Sequence, residues 1–249
     1  MTNHIKALCH QGVIRSNNED AIKYGVNEAL GFTWMIIADG MGGHNAGEVA
    51  SAMLVNQISK AVEPSTFVKP SNWQNWIIEQ LNLANIAIFQ ASQENPAQQG
   101  MGTTGVLVII ENNRGYIGWV GDSRLYLLKE HELVQQTVDH TMLQELVNKG
   151  AISAETAKNA NTKNLLSQAI GVSEKISVDT TTITINNSDT IMLSTDGLHD
   201  HLTEQEISCY LSQSFTNENI CNDMINKAIS NKSRDNLTVG LINIVKSYS

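Results

Sequence analysis

The stretch "WMIIADGMGGH", residues 34–44, decides how the rest of the chain is read. Residues 34–38 form an apolar run with the composition of a buried strand. The run stops on Asp39, and glycines follow at 40, 42 and 43. An acid at that position needs a reason, because a lone carboxylate is costly to take out of water. The pattern returns twice. "YIGWVGDSR" (116–124) ends its apolar run at Asp122, and "TIMLSTDGLHD" (190–200) ends its run at Asp196. Asp235 stands just before the last apolar run in "SRDNLTVGLINIV" (233–245), and Glu19 and Asp20 lie in "RSNNEDA" (15–21).

Each acid taken alone reads as an ordinary turn residue, since Asp and Asp-Gly favour turns. Taken together they read differently. Strands that pair in one sheet bring their ends close, and carboxylates gathered there repel and raise one another's pKa. A cation relieves that repulsion. Oxygen ligands without His or Cys spacing suit Mn2+ or Mg2+ rather than zinc. Glycines 40, 42, 43, 121 and 197 would allow close approach. Two such cations about 3.5–4 Å apart can activate a water and clamp a phosphoryl oxygen. Arg15, just before Glu19 and Asp20, is the candidate for a bidentate grip on phosphate. No P-loop, EF-hand or GxGxxG spacing is present.

The totals set limits. The chain has 249 residues, 41% of them hydrophobic, enough for a substantial core. It holds three prolines and no linker-like tract, so a single domain over 1–249 is expected. A net charge of −9 without a basic cluster argues against nucleic-acid or anionic-membrane partners. Cys9, Cys209 and Cys221 form no CxxC pair and read as free thiols in a reducing compartment. Without a signal-peptide core or an apolar run of ~20 residues, a cytoplasmic monomer is expected.

Strands are expected at 5–9, 34–38, 104–110, 116–120, 125–128, 178–185, 190–194 and 237–245. "ENNRG" (111–115) and "INNSD" (185–189) read as hairpin turns, which implies antiparallel pairing. Helices are expected at 46–62 with Asn45 as N-cap, and from a Ser71/Gln74 capping box onward. Two more are expected at 204–212, with Thr203 and Glu206 as a second box, and at 218–230. Trp73, Trp76, Ile77, Leu81, Ala84 and Ile88 recur at helical spacing as a core stripe. The class is α+β.

The motifs "RSNNEDA" (15–21), "ADGMGGHNAGEVAS" (38–51), "GTT" (102–104), "GWVGDSRLYLL" (118–128), "LSQAIG" (166–171), "LSTDGLHD" (193–200) and "SRDNLTVGLINI" (233–244) occur in one order across nearly the whole chain. In that order they resemble the bacterial form of the PPM or PP2C family, the metal-dependent serine/threonine protein phosphatases. The resemblance implies a four-layer α-β-β-α sandwich of two antiparallel sheets flanked by helix pairs. It implies Mn2+ or Mg2+, two per site, with Asp39 bridging and the Gly40 carbonyl, Asp196 and Asp235 completing the inner shell. It implies that Glu19 and Asp20 hold metal-bound waters, that Arg15 binds the phosphate, and that Asp122 helps hold a third, weaker metal. Asn236 would be supporting. A metal-bridging hydroxide would attack phosphorus in line, without a phosphoenzyme. Phosphoprotein substrates and an opposing Ser/Thr kinase follow from the same resemblance.

Two departures accompany it. Eukaryotic relatives carry a His, proposed as the general acid, two residues after the bridging Asp; here Met41 stands there. His44 is then a candidate acid, with a cleft-shaping loop histidine favoured and a metal-bound water as a further source of the proton. The flap, about 141–171, keeps "TMLQELVNKG" (141–150) but has Asn159 and Ala160 where bacterial relatives often place His-Pro. The competing readings are a non-catalytic phosphoprotein-binding scaffold and a small-molecule phosphohydrolase. Retention of Asp39, Asp196 and Asp235 argues against the scaffold.

Overall fold

A computed structural model describes residues 3–42, 46–62, 67–158 and 165–245. The run that opens the site is the centre of the first sheet. β3 (Phe32–Met41) lies between β2 (Asp20–Asn27) and β5 (Gly105–Glu111), and β6 (Arg114–Val120) and β9 (Asp179–Thr184) continue outward. The short β4 (Gly102–Thr103) pairs with the end of β3. The second sheet has the order β1 (His4–His10), β11 (Leu237–Asn243), β10 (Thr190–Ser194), β7 (Arg124–Lys129), β8 (Glu132–Gln135). Every pairing between these strands is antiparallel.

Residues 34–38 are apolar without alternation because both faces of β3 are covered. Successive side chains on a strand point to opposite faces. Trp34 and Ile36 therefore pack outward with Leu54 of α1 (Gly47–Val62) and with Ile77 and Leu81 of α2 (Trp73–Glu94). Met35 and Ile37 pack inward with Leu125, Ile191 and Ile242 of the second sheet. A third layer of contacts joins Met192 and Leu241 to Ile207 of α6 (Glu204–Gln213) and Met224 of α7 (Ile220–Ser230). The result is the expected α-β-β-α sandwich. None of the described helices is long and apolar enough to cross a membrane.

Local signals explain most element ends. Thr203 and Glu206 form the reciprocal capping box at α6. The N-cap of α2 is Asn72 rather than Ser71: its side chain accepts from the Asn75 N–H at 3.0 Å, while Gln74 reaches Thr180 on β9. Asn45 lies outside the described residues. The turn at Asn112 joins β5 to β6 as a hairpin, with Asn112 at φ 54°. The segment 185–189 is no hairpin. β9 pairs with β6 and β10 with β7 and β11, so this turn crosses from one sheet to the other. Turn chemistry alone cannot distinguish the two, because an Asn/Ser/Asp tract serves either. β2 carries no expectation from the sequence: it is an edge strand, polar enough to read as loop, and only the spacing of Ile22, Tyr24 and Val26 marks it. The three cysteines are free.

Leu54 is fully buried between α1 and the first sheet. Leu54→Ala should cost about 3 kcal/mol through lost burial and a residual cavity. Urea unfolding followed by circular dichroism measures it; a cost below about 1 kcal/mol would show that the α1 layer is not close-packed.

Candidate active site

Five aspartates gather at one end of the sandwich, and they come from both sheets. Asp20 opens β2 and stands in register with Asp39 on β3. Asp122 follows β6 in the turn to β7. Asp196 begins the short α5 (Asp196–His199) just past β10, and Asp235 precedes β11. Convergence within one sheet, as the sequence suggested, is only part of it, since the stacking of the two sheets joins the two sets. β3 also runs past Asp39, because Gly40 and Met41 pair with Thr103 and Gly102.

Hydroxyls and amides hold the backbone around these acids. The Thr104 side chain accepts from the Asp39 N–H at 3.0 Å and shares a 2.7 Å bond with Ser123, beside Asp122. The Thr103 hydroxyl donates to the Asp39 carbonyl at 2.9 Å. The buried Asn236 side chain accepts from the Glu19 N–H and donates to the carbonyls of Gln11 and Asn17, at 2.8–2.9 Å. Two glycines are required by close approach. A Cβ on Gly40 would overlap the carbonyl oxygens of Gly47 and Glu19, and one on Gly197 would overlap that of Asn236.

The carboxylates themselves are under strong electrostatic pressure. Burial, then the charge of Asp20 and the other acids, pushes Asp39 well above the ordinary carboxylate range. Burial raises Asp20 to about 7, against the opposing bonds from Thr238 and Thr195, with Asp196 and Asp235 adding to the rise. Asp122 goes to about 8 through burial and Asp196, and Asp196 to about 6 through burial and Asp235. Glu19 is raised by burial, opposed by Arg15. Asp20 Oδ2 accepts from Thr195 at 2.9 Å and Thr238 at 2.6 Å, whereas its Oδ1 is buried with no hydrogen-bond partner. Glu48 Oε2, near Glu19, is likewise buried and unbonded.

Among the described residues no three His, Cys, Asp or Glu side chains already form a metal cage. Several of the acids are turned to other partners: Asp20 to two threonines, Asp39 to Asp196, and Asp235 to Arg15 at 2.7 Å. Arg15 sits at the rim with its side chain half exposed. Thus Arg15, Glu19, Asp20, Asp39, Gly40, Asp122, Asp196 and Asp235 meet at one place, while His44 lies outside the described residues. The sequence reading missed the support from Thr103, Thr104, Ser123, Thr195 and Thr238. Its only signal for them was their place inside the quoted motifs.

Residues 13–232 match the family model described as protein phosphatase 2C. The chain is 37% identical over 243 residues to the serine/threonine phosphatase stp of Listeria monocytogenes serotype 4b (strain F2365), covering 96% of this chain and 95% of that one. A solved S. agalactiae serine/threonine phosphatase superposes with a TM-score of 0.90 at 31% identity, covering 98% of this chain and 100% of that one. The catalytic domain of the phosphatase PstP, solved in complex with two manganese ions, superposes at 0.83 with 28% identity, covering 98% and 99%. On the family match and the relative's near full-length identity, the chain belongs to the protein phosphatase 2C family of serine/threonine phosphatases.

Proposed function

We propose that the chain hydrolyses phosphoserine and phosphothreonine in proteins, opposing a Ser/Thr kinase, with two Mn2+ or Mg2+ ions held by Asp39, the Gly40 carbonyl, Asp196 and Asp235. The observation that carries this reading is the gathering of aspartates from two sheets at one end of the sandwich, the buried Asp20 and Asp122 among them. Such a cluster is stabilised either by protons or by cations. The donor set fits hard divalent ions, since it is made of carboxylate and carbonyl oxygens.

When bound, the ions would lower the pKa of a water between them and neutralise charge on the phosphoryl oxygens. The chain supplies the rest. Asp20, gripped on Oδ2 by Thr195 and Thr238, presents Oδ1 as a fixed acceptor for a water proton. Glu19, with its backbone fixed by Asn236, would act likewise. Arg15 and Asp235 hold each other now. If Asp235 turns to a cation, the guanidinium is released to take the phosphate oxygens in its planar fork. Asp122, which feels the charge of Asp196, would help hold a third, weaker ion.

Asp39→Asn should lower Mn2+-dependent kcat/KM on a phosphothreonine peptide by at least about a thousandfold while keeping the native circular dichroism spectrum. Retained turnover would sink the metal-centre reading. Arg15→Ala should act mainly on KM, raising it about tenfold, because the lost contact is to the phosphate in ground and transition states alike. A purely kcat effect in steady-state assays would contradict that role.

The raised pKa values also fix the sign of a pH effect. In the unfolded chain these aspartates titrate near ~4, whereas folded they hold protons up to about 6, 7 and 8. The folded state therefore binds more protons across that window, and stability in EDTA falls as pH rises through it. Cations replace the protons, so Mn2+ should raise the melting temperature more at pH 8 than at pH 5. Equal shifts in thermal melts at both pH values would count against cation binding by these acids.

A further inference from the structure

The turn that carries Asp122 belongs to no ladder. β6 makes its last pair with β5 at Val120, and β7 begins at Arg124. Asp122 feels the charges of Asp196 and Asp139, so a loose turn would let that repulsion swing its carboxylate aside. Both flanks of the turn are clamped instead. On one flank the Ser123 hydroxyl shares its 2.7 Å bond with Thr104. On the other the His140 N–H donates to the Gly121 carbonyl at 2.9 Å, and His140 Nδ1 accepts from the Gly121 N–H at 3.2 Å. We propose that His140 is a positioning residue: its two-point grip on Gly121 fixes the direction of the Asp122 carboxylate. What the grip does for a bound ion rests on the metal reading above.

Gly121 depends on an outside partner. It is buried at φ 102°, and a Cβ there would overlap the Thr104 side chain, so the position has no side chain of its own to brace the turn. A buried N–H needs an acceptor, and the imidazole supplies it. Because Nδ1 accepts, it bears no proton; Nε2 carries the proton and lies 3.4 Å from Asp179 Oδ2 at the start of β9. The Trp119 ring lies along the imidazole at 28°, with 6.4 Å between ring centres. Stacking and two polar partners leave the buried ring one orientation.

His140 is itself anchored. After β8 the chain runs back along the turn: the Gln136 N–H donates to the Leu125 carbonyl at 2.8 Å, and Trp119 Nε1 donates to the Val138 carbonyl at 2.9 Å. Arg124 then takes Asp139 in three contacts of 2.7–3.0 Å. Residues 121–124 and 139–140 therefore close a ring of bonds around Asp122. On the far side the His140 carbonyl accepts from the Ser167 N–H at 2.9 Å, and Thr141 caps α3 (Met142–Asn148). A ring that only filled space would need no acceptor at Nδ1. Here the acceptor is the one atom of the side chain that meets the backbone beside Asp122.

Two variants of the full chain separate acceptor from filler. His140→Asn carries its side-chain oxygen where Nδ1 lies and keeps the acceptor. His140→Gln carries its amide where Nε2 lies and loses it, although it fills more space. Amide hydrogen exchange of glycine-labelled protein in EDTA reads the grip directly. Gly121 should exchange at least about tenfold faster in the Gln variant and within about threefold of wild type in the Asn variant. Calorimetric titration with Mn2+ reads the consequence, with Asp122→Ala marking the binding step that needs Asp122. The Gln variant should weaken that step about tenfold or more and the other steps by less than about twofold, and the Asn variant should restore it. Equal Gly121 exchange in all three proteins would overturn the proposal. So would an Asp122-dependent step that the Gln variant leaves intact, or one that both variants weaken alike. If no Mn2+ binds, or Asp122→Ala removes no step, the metal reading fails, and the exchange rates alone uphold or reject the grip.

Discussion

Repulsion among Asp20, Asp39, Asp122, Asp196 and Asp235 is the constraint on which the arrangement turns. Burial makes each charge costly, and proximity makes the second and third costlier still. A fold that gathers such groups gives up stability at that spot. The three packed interfaces of the sandwich must supply it elsewhere, which is the usual relation between a functional centre and its scaffold. The residues behind the acids are accordingly small, rigid and hydrogen-bonded.

That rigidity has a pattern. Threonine hydroxyls face the site from both sheets: Thr103 and Thr104 fix the Asp39 peptide, and Thr195 and Thr238 fix the Asp20 carboxylate. Asn236, just before β11, ties that strand's start to the segment that carries Arg15 and Glu19. Asp39 and Asp20 are therefore each held by groups on other elements. A small shift of one sheet over the other would change several distances together. The inter-sheet core of Met35, Ile37, Leu125, Ile191 and Ile242 sets that stacking, so its packing bears on the site without touching it.

A cavity beside the centre extends the same logic outward. Asp122 and Asp196 belong both to the centre and to the cavity of about 670 Å3 that residues of α3 and of the α5–α6 turn line. The surface elements around it, α3 between β8 and β9 and the α5–α6 turn between β10 and β11, are segments between sheet strands that can vary without disturbing the core.

The sequence by itself marked the elements and the acids, and the layers only through the family resemblance. The continuous apolar run 34–38 called for a buried strand, and the Thr203/Glu206 box called for a helix start. Acids at the ends of apolar runs marked the donors, because a local pattern is enough to place a charge beside buried surface. Tertiary structure alone decided which sheet each strand joins. The polar turn 185–189 reads the same whether its strands pair or part, and the edge strand β2 is too polar to stand out although it delivers Asp20. Only the stacked sheets showed that Asp20, Asp39 and Asp122 meet Asp196 and Asp235 across a sheet boundary. Only they showed that Arg15 and Asp235, 220 positions apart, share an ion pair. Periodicity and turn chemistry act over a few residues, whereas these pairings depend on contacts between segments distant in the chain.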